Sequence, residues 1–377
     1  MPETNAASQA HKVRIRRRGR LEQIRIYLGK FFRMFIYQSD WKVMPMAMVI
    51  AAVVGMVVKN TMFRNMENTL LGAFAMSCVC IWNGCFNSIQ VVCRERGIVK
   101  REHRSGMHIT SYMAAHMIYQ AFLCLIQSGL TTYVLVFIGT HFPEKGYVTS
   151  WSTVDFTIAV FLITYAADML GLLVSCLVRS TTLAMTIVPF LLIFQLVFSG
   201  GFFSLPAWSA PLKNITISRY GLRSICALAD YNELPSVAAW NTLFKMRDTT
   251  VEKAITVEEV RNFLKSDFVQ DQLRQEEIDE GLTLDQAINP WLDDPMVTQY
   301  DAEAVNLRFT VGDVINVIGE ENARNYILNA STAAGYQPDY DQNADNLIEC
   351  WGLLIAFSLL YAGLSVICLE FIDRDKR

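Results

Sequence analysis

CRERGIVKREHRSGMHITSY, at residues 93–112, is the stretch that decides the fold. It is a cationic insert between two apolar runs, Leu70 to Val92 and Tyr112 to Gly139, each long enough to cross a hydrocarbon core of about 30 Å. Its basic residues outnumber Glu95 and Glu102, and such an excess marks the cytosolic side of a membrane. The two glutamates are seven residues apart and share one helix face. The sequence therefore predicts a membrane protein with a charged cytosolic helix, with an ordinary basic loop as the alternative.

The composition agrees with a membrane protein. Of the 377 residues, 52% are hydrophobic and 18% are charged, which departs from a typical soluble domain. The fold class predicted is an all-α polytopic membrane protein with an N-terminal amphipathic helix and a helical extracytoplasmic domain between the fifth and sixth spans. Six candidate spans lie near residues 42–60, 69–92, 111–139, 153–178, 181–204 and 347–371.

The charge distribution predicts the topology. Basic residues at 11–18 and 374–377 place both termini in the cytosol, and an even number of spans requires that they share a side. Residues 205–345 carry 11 Lys and Arg against 23 Asp and Glu, which places this segment outside. We expect no removable signal peptide, and we expect a multi-pass protein of the cell (plasma) membrane.

These patterns divide the chain into four parts. Residues 1–41 form a basic tail and an amphipathic helix, whose alternative role is a plain membrane-surface anchor. Residues 42–204 hold the first five spans with the cytosolic helix at 93–107. Residues 205–346 form the acidic external segment, and residues 347–377 form the last span and a cytosolic tail.

The external segment shows three helix-start signals. Thr256 to Glu259, Thr283 to Gln286 and Thr310 to Asp313 each place a threonine three residues before an acid or amide, which is typical of a capping box. The sequence predicts a small helical domain here. It would serve as a lid over an exit, as a docking site for an accessory protein, or only as solvated surface.

Three motifs carry a resemblance to a known family. They are E-R-G-I-V-K-R-E-H-x-S-G-M with the following S-Y, Phe198-Ser199-Gly200, and ISRYG at residues 217–221. Together they resemble the ABCG subfamily of ATP-binding-cassette exporters, whose membrane domains are of the ABC-2 type, over about residues 20–232 and the last span. The resemblance implies that the cytosolic helix couples the membrane domain to an ATPase through Glu95, Arg96, Arg101, Glu102 and Gly106. It also implies a re-entrant helical element, which includes the ISRYG motif, in the first part of residues 205–346.

The same resemblance implies a substrate pathway. Asn83 and Phe86 match its second-span contacts, although a core-packing Phe86 is an equal alternative. The Phe198-Ser199-Gly200 motif locates three further pathway positions in the fifth span and three positions of an exit valve. The alternative for the fifth-span positions is that their side chains face lipid. The fifth-span residues are Leu192, Ile193 and Leu196, and the valve residues are Gly201, Phe202 and Phe203.

Asp168 is a carboxylic acid in the middle of the fourth predicted span. A carboxylate there must be neutral, paired or facing a cavity, so Asp168 marks a possible intramembrane polar site. A structural hydrogen bond, a cavity wall and a cation- or proton-coupling role are the alternatives. No metal site is predicted, because neither the cysteines nor His103 and His108 have ligand spacing.

The sequence contains no G-x-x-x-x-G-K-[ST], so we expect no cofactor in this chain and ATP with Mg on a partner ATPase subunit. The other expected partners are membrane lipids and a second permease, in a homodimer or a heterodimer; nucleic-acid binding gains no support. An amphipathic cargo (lipid, drug or peptide) follows from the apolar pathway. The alternative functions are a membrane anchor or sensor whose external domain binds a partner, and an intramembrane enzyme built on Asp168.

Overall fold

A computed structural model describes residues 19–37, 40–143, 145–201, 206–207, 209–256, 258–259, 262 and 304–371. The chain divides into two compact units, one within Met1–Ser236 and Thr332–Arg377 and the other within Val237–Ser331. In chain order the elements are α1 (Arg20–Tyr37), α2 (Val43–Val58), α3 (Met66–Ser88), α4 (Val91–Arg104), α5 (Ile109–Ile138), α6 (Ser152–Leu177), α7 (Thr181–Val197), α8 (Ile217–Leu228), α9 (Ala238–Lys245), β1 (Thr250–Thr256), β2 (Ala304–Thr310), α10 (Val311–Ile318), α11 (Glu320–Ala334) and α12 (Ala344–Glu370).

Four helical stretches of the described residues are long and apolar enough to cross a membrane. They are Met66–Arg104, Ile109–Ile138, Ser152–Leu177 and Ala344–Glu370. The helices α2 and α7 are apolar but shorter, at 16 and 17 residues. The mostly helical membrane fold agrees with the sequence, whereas the count of six spans stays a prediction.

The end of α7 differs from the predicted span. The helix stops at Val197, seven residues before the predicted end at residue 204. Ser199 Oγ donates to the Leu196 carbonyl at 3.0 Å, and Gly200 follows with a φ of +78°, a backbone conformation that favours glycine. The F-S-G motif therefore acts locally as a helix stop.

Close approach of α3 and α6 forms the centre of the first unit. A Cβ at Gly84 would collide with the Thr164 carbonyl, and one at Gly171 would lie 2.8 Å from the Cys85 carbonyl. Small residues permit this distance, as is usual between membrane helices. The helix α8 packs on both of them, α12 packs on α6 and α8, and Ile225 and Cys226 of α8 are fully buried.

The second unit is built on a small apolar core. Trp240, Ile315 and Ala323 are buried there, with partly buried side chains from α10 and α11 around them. The predicted capping box at Thr310–Asp313 is confirmed at the start of α10. Thr256 and Glu259 exchange the expected hydrogen bonds of 3.2 Å, although Thr256 ends a strand, and Thr283–Gln286 lies outside the described residues.

This unit also contains a strand pair that the sequence patterns do not predict. The strands β1 and β2 are antiparallel, with Thr250 opposite Thr310 and Glu252 opposite Arg308. An ion pair of 3.3 Å joins Glu252 to Arg308, but both side chains are exposed and such a pair adds little stability. The segment is therefore mixed in structure rather than only helical.

Candidate functional site

The amphipathic helix α1 docks on α4 through both predicted coupling glutamates. Lys30 Nζ donates to Glu95 Oε2 at 3.1 Å, and Tyr27 Oη donates to Glu102 Oε2 at 2.9 Å. Burial of the Tyr27 phenol, with the hydrogen bond to Glu102 adding to it, raises its pKa above the ordinary value, so the proton needed for that bond is retained. The glutamates therefore tie two helices of this chain together.

The turn after α4 fixes the start of α5. Gly106 has a φ of +105°, and the amides of Gly106 and Met107 donate to the carbonyls of His103 and Glu102. This is a Schellman turn, in which glycine is favoured at the left-handed position. The Gln23 side chain of α1 accepts from the His108 amide at 3.0 Å and thereby joins this turn to α1.

The other end of α4 is anchored on α6. Arg96 donates to the carbonyls of Cys176 and Val178 at 3.0 and 2.9 Å, at the negative end of the α6 dipole. Ser175 Oγ accepts from the amides of Val92 and Cys93 at 3.0 and 3.1 Å, which satisfies two orphan donors of the first turn of α4. Arg96 and Ser175 therefore fix α4 directly to a central helix.

Arg101 lies on the opposite face of α4. Its side chain is exposed, as are Gly97 and Ile98 one turn earlier. The five predicted coupling residues thus divide by position. Glu95, Arg96, Glu102 and Gly106 organise contacts within this chain, whereas Arg101 faces outward with the rest of that surface.

The three predicted residues of α7 meet in one cavity. Leu192, Ile193 and Leu196 line a space of about 260 Å³ between α3, α7 and α8. The wall contributed by α3 consists of Cys78, Ile81 and Trp82. Pro189 also lines this space, which we call the apolar cavity, with Gln195 and Ser218 as its polar residues.

Phe86 and Asn83 lie close to the apolar cavity but do not line it. Phe86 stacks on Trp82, with ring centroids 5.0 Å apart and planes at 21°, and it lines a separate space of about 230 Å³. Asn83 is half-buried on the same helix. The structure therefore places the α7 residues around one space with Trp82, and Phe86 contacts the Trp82 ring by stacking.

Of the three predicted exit-valve residues, the structure describes Gly201. A Cβ at this position would collide with Leu222 of α8, so glycine permits the close approach of the two segments. Phe202 and Phe203 lie outside the described residues. The valve assignment stays a prediction.

Asp168 is fully buried and hydrogen-bonded. It accepts from Ser88 Oγ, and Cys124 Sγ lies 3.6 Å from its second oxygen. Gln120 Nε2 in turn donates to Ser88 Oγ at 2.9 Å. This network joins α3, α5 and α6 and gives Asp168 the structural hydrogen bonds that were one of its predicted alternatives.

Sequence reasoning did not identify several residues of these sites. Tyr27 and Lys30 hold the coupling glutamates, Ser175 caps α4, and Trp82 lines the apolar cavity. Lys30 was readable only as one of the basic residues on the polar side of an amphipathic helix, since its partner Glu95 lies 65 positions away. Ser175 gave no signal, since its partners are 82 and 83 residues away and only the fold brings them together.

Comparison with known proteins places these sites in a family. The model of the ABC-2 type transporter family matches residues 22–228, which is more than half of the chain. The chain belongs to this family. The matched residues include most of α1, both glutamates of α4, the apolar cavity and α8. A domain of this family is a membrane domain for transport.

A curated relative gives a partial match. The chain is 29% identical over 158 residues to the ABC transporter ATP-binding/permease protein Rv1747 of Mycobacterium tuberculosis. The aligned stretch covers 41% of this ABC-2 type transporter chain and 18% of the mycobacterial protein. The likeness is therefore to a fraction of a much longer protein.

Proposed function

We propose that this chain is the permease subunit of an ATP-binding-cassette exporter, driven by an ATPase on a separate polypeptide that carries the ATP and Mg. The observation that carries the proposal is the apolar cavity between α3, α7 and α8. It lies within the family-matched residues and presents an aromatic ring and aliphatic side chains to one space. Such a lining favours hydrophobic cargo.

The cargo class follows from the chemistry of this lining. Trp82 is 49% exposed and offers a large flat surface, while Gln195 and Ser218, the polar residues of the lining, are only 4% and 1% exposed. The Ser218 amide donates to Gln195 Oε1 at 3.2 Å, so these polar residues are held in place. We propose an amphipathic cargo such as a lipid, a drug or a modified peptide.

A second permease copy, identical or not, closes the pathway in this proposal. Phe190 and Ile193 of α7 are 70% and 59% exposed, so one chain leaves its cavity open along this helix. The full assembly would have six spans per chain, cytosolic termini and the acidic segment outside the plasma membrane. These assignments rest on the charge pattern of the sequence.

Coupling would run through α4. An ATPase docked on the exposed face that includes Arg101 would move α4, and the contacts of Arg96 and Ser175 would pass this motion to α6. The contacts of Lys30 and Tyr27 would keep α1 moving with α4. The device is a rigid-body shift of packed helices.

The test is ATP-dependent movement of a fluorescent phospholipid across vesicles that contain the chain and its candidate ATPase. We expect Ile193→Trp to fill the apolar cavity and slow transport at least about tenfold. Leu359→Trp is the matched control, because Leu359 is similarly exposed on α12 and does not line the cavity. Equal transport by both variants would remove the cavity from the pathway, and transport by neither the variants nor the wild type would favour the anchor or sensor function.

A further inference from the structure

The space behind Phe86 has a lining unlike that of the apolar cavity. This mixed cleft, of about 230 Å³, lies between α1, α2, α3, α4 and α5. Phe35, Met44 and Leu123 form an apolar wall. Gln90 and Arg94, at the start of α4, line the same space and form its polar wall. A cleft with two such walls fits an amphipathic occupant.

The position of the mixed cleft is at one boundary of the apolar bundle. It lies where α2 begins, at Val43, and where α3 ends, at Ser88. Trp41 and Lys42 are exposed directly before α2, and aromatic and basic residues of this kind mark the headgroup level of a bilayer. We therefore expect the mixed cleft to lie near the boundary between acyl chains and headgroups.

The charge at the mouth of the mixed cleft is positive. Arg94 is exposed on the polar wall, and Lys42 is exposed beside the lining residue Val43. Arginine and lysine near a membrane surface attract anionic lipid headgroups. The guanidinium also donates several hydrogen bonds in a fixed geometry that matches a phosphate.

The inner end of the mixed cleft is polar and pre-formed. Asn87 and Gln127 exchange amide hydrogen bonds of 2.8 and 3.1 Å there, which fixes both side chains. The Gln120 side chain lines the cleft at 1% exposure, and its Oε1 has no hydrogen-bond partner among the described residues. A buried acceptor of this kind is costly, and a hydroxyl donor on a bound headgroup would relieve it.

We infer that the mixed cleft binds an anionic phospholipid, with the phosphate on Arg94 and Gln90 and the start of an acyl chain along Phe35, Met44 and Leu123. The cleft is too small for a whole phospholipid, so the rest of the chains lies in the bilayer. The inference does not require the lipid to be cargo. It assigns a lipid-binding site apart from the apolar cavity.

The test is native mass spectrometry of the full chain in mild detergent with equal amounts of phosphatidylglycerol and phosphatidylcholine. We expect the wild type to retain phosphatidylglycerol preferentially. Arg94→Gln should lower this retention about fivefold, the effect of one basic residue at a membrane surface. Arg104→Gln is the matched control, since it removes the same charge from α4 outside the cleft and should leave the preference intact.

A second variant tests the apolar wall. Met44→Trp fills the cleft without changing charge, and we expect it to lower retention of both lipids at this site while size-exclusion elution and thermal unfolding stay like the wild type. Glycerol 3-phosphate, which has the headgroup but no chain, should not displace the lipid. Equal losses in Arg94→Gln and Arg104→Gln, displacement by glycerol 3-phosphate, or no preference in the wild type would each overturn the inference. None of these measurements needs the ATPase, so their failure is separate from a failure of the transport proposal.

Discussion

Asp168 shows how one buried acid can be structural. Its two oxygens contact Ser88 and Cys124, and a span cannot tolerate such a group without partners. We expect Asp168→Asn to keep the thermal midpoint near the wild-type value, because the amide oxygen still accepts from Ser88. Asp168→Leu should lower it, with a loss of about 1–3 kcal/mol from the unsatisfied partners. A stable Asp168→Asn protein that had lost transport would instead indicate a coupling role.

Lys30 and Glu95 provide a charge pair that can be reversed. The pair is partly buried, with side-chain exposures of 31% and 11%, so breaking it leaves a charge in poor surroundings. We expect Lys30→Glu to release α1 from α4, which spin labels on the two helices would report as a longer distance. Combining it with Glu95→Lys should restore most of the contact. A double variant no better than the single one would mean that the pair does not position α1.

Tyr27 gives the docking of α1 a dependence on alkaline pH. Burial and Glu102 raise its pKa above the unfolded value of about 10. This contribution is therefore complete below about pH 10 and is lost as the pH rises through the raised value. In the same spin-label experiment, the difference between wild type and Tyr27→Phe should stay constant from about pH 6 to about pH 10 and shrink above that range. Because both proteins have the same lysines, the titration of those lysines does not contribute to the difference between the two spin-label distances.

At the scale of elements, the contact of α3 with α6 depends on glycine. We expect Gly84→Ala to cost about 1–3 kcal/mol, since its new Cβ would meet the α6 backbone. Gly129→Ala on α5 is the matched control, because a Cβ there meets nothing within 4 Å and alanine favours the helix. Thermal unfolding of both variants would decide, and equal midpoints would contradict the close packing.

An element could be predicted from the sequence when the residues that determine it lie close together in the chain. The apolar runs of α3, α5, α6 and α12 and the Thr310 cap were readable because their determinants lie within a few residues of each other. The strand pair was not, since Thr250 pairs with Thr310 across 60 positions of sequence. For the same reason the sequence could place Glu95 and Glu102 on one helix face but could not show that α1 covers that face.

For the whole molecule, packed helices connect the proposed docking surface on α4 to the apolar cavity. The exposed face of α4 leads through Arg96 to α6, α6 packs on α3, and α3 carries Trp82 into the cavity. Each step is a contact between helices in one compact unit. Trp82 lies one turn before the predicted contact Phe86 and shares a face of α3 with it, and the role of Phe86 stays a prediction.

The most direct measurement is co-purification of the chain with its candidate ATPase, followed by ATP turnover in lipid vesicles. The wild type is compared with Glu95→Ala combined with Glu102→Ala, and Ser358→Ala, a buried change on α12 away from α4, serves as the control. We expect the double variant to lose ATPase association or lipid-dependent turnover, and the control to keep both. Stable isolation of the wild-type chain with no ATPase bound, or full turnover in the double variant, would contradict the account.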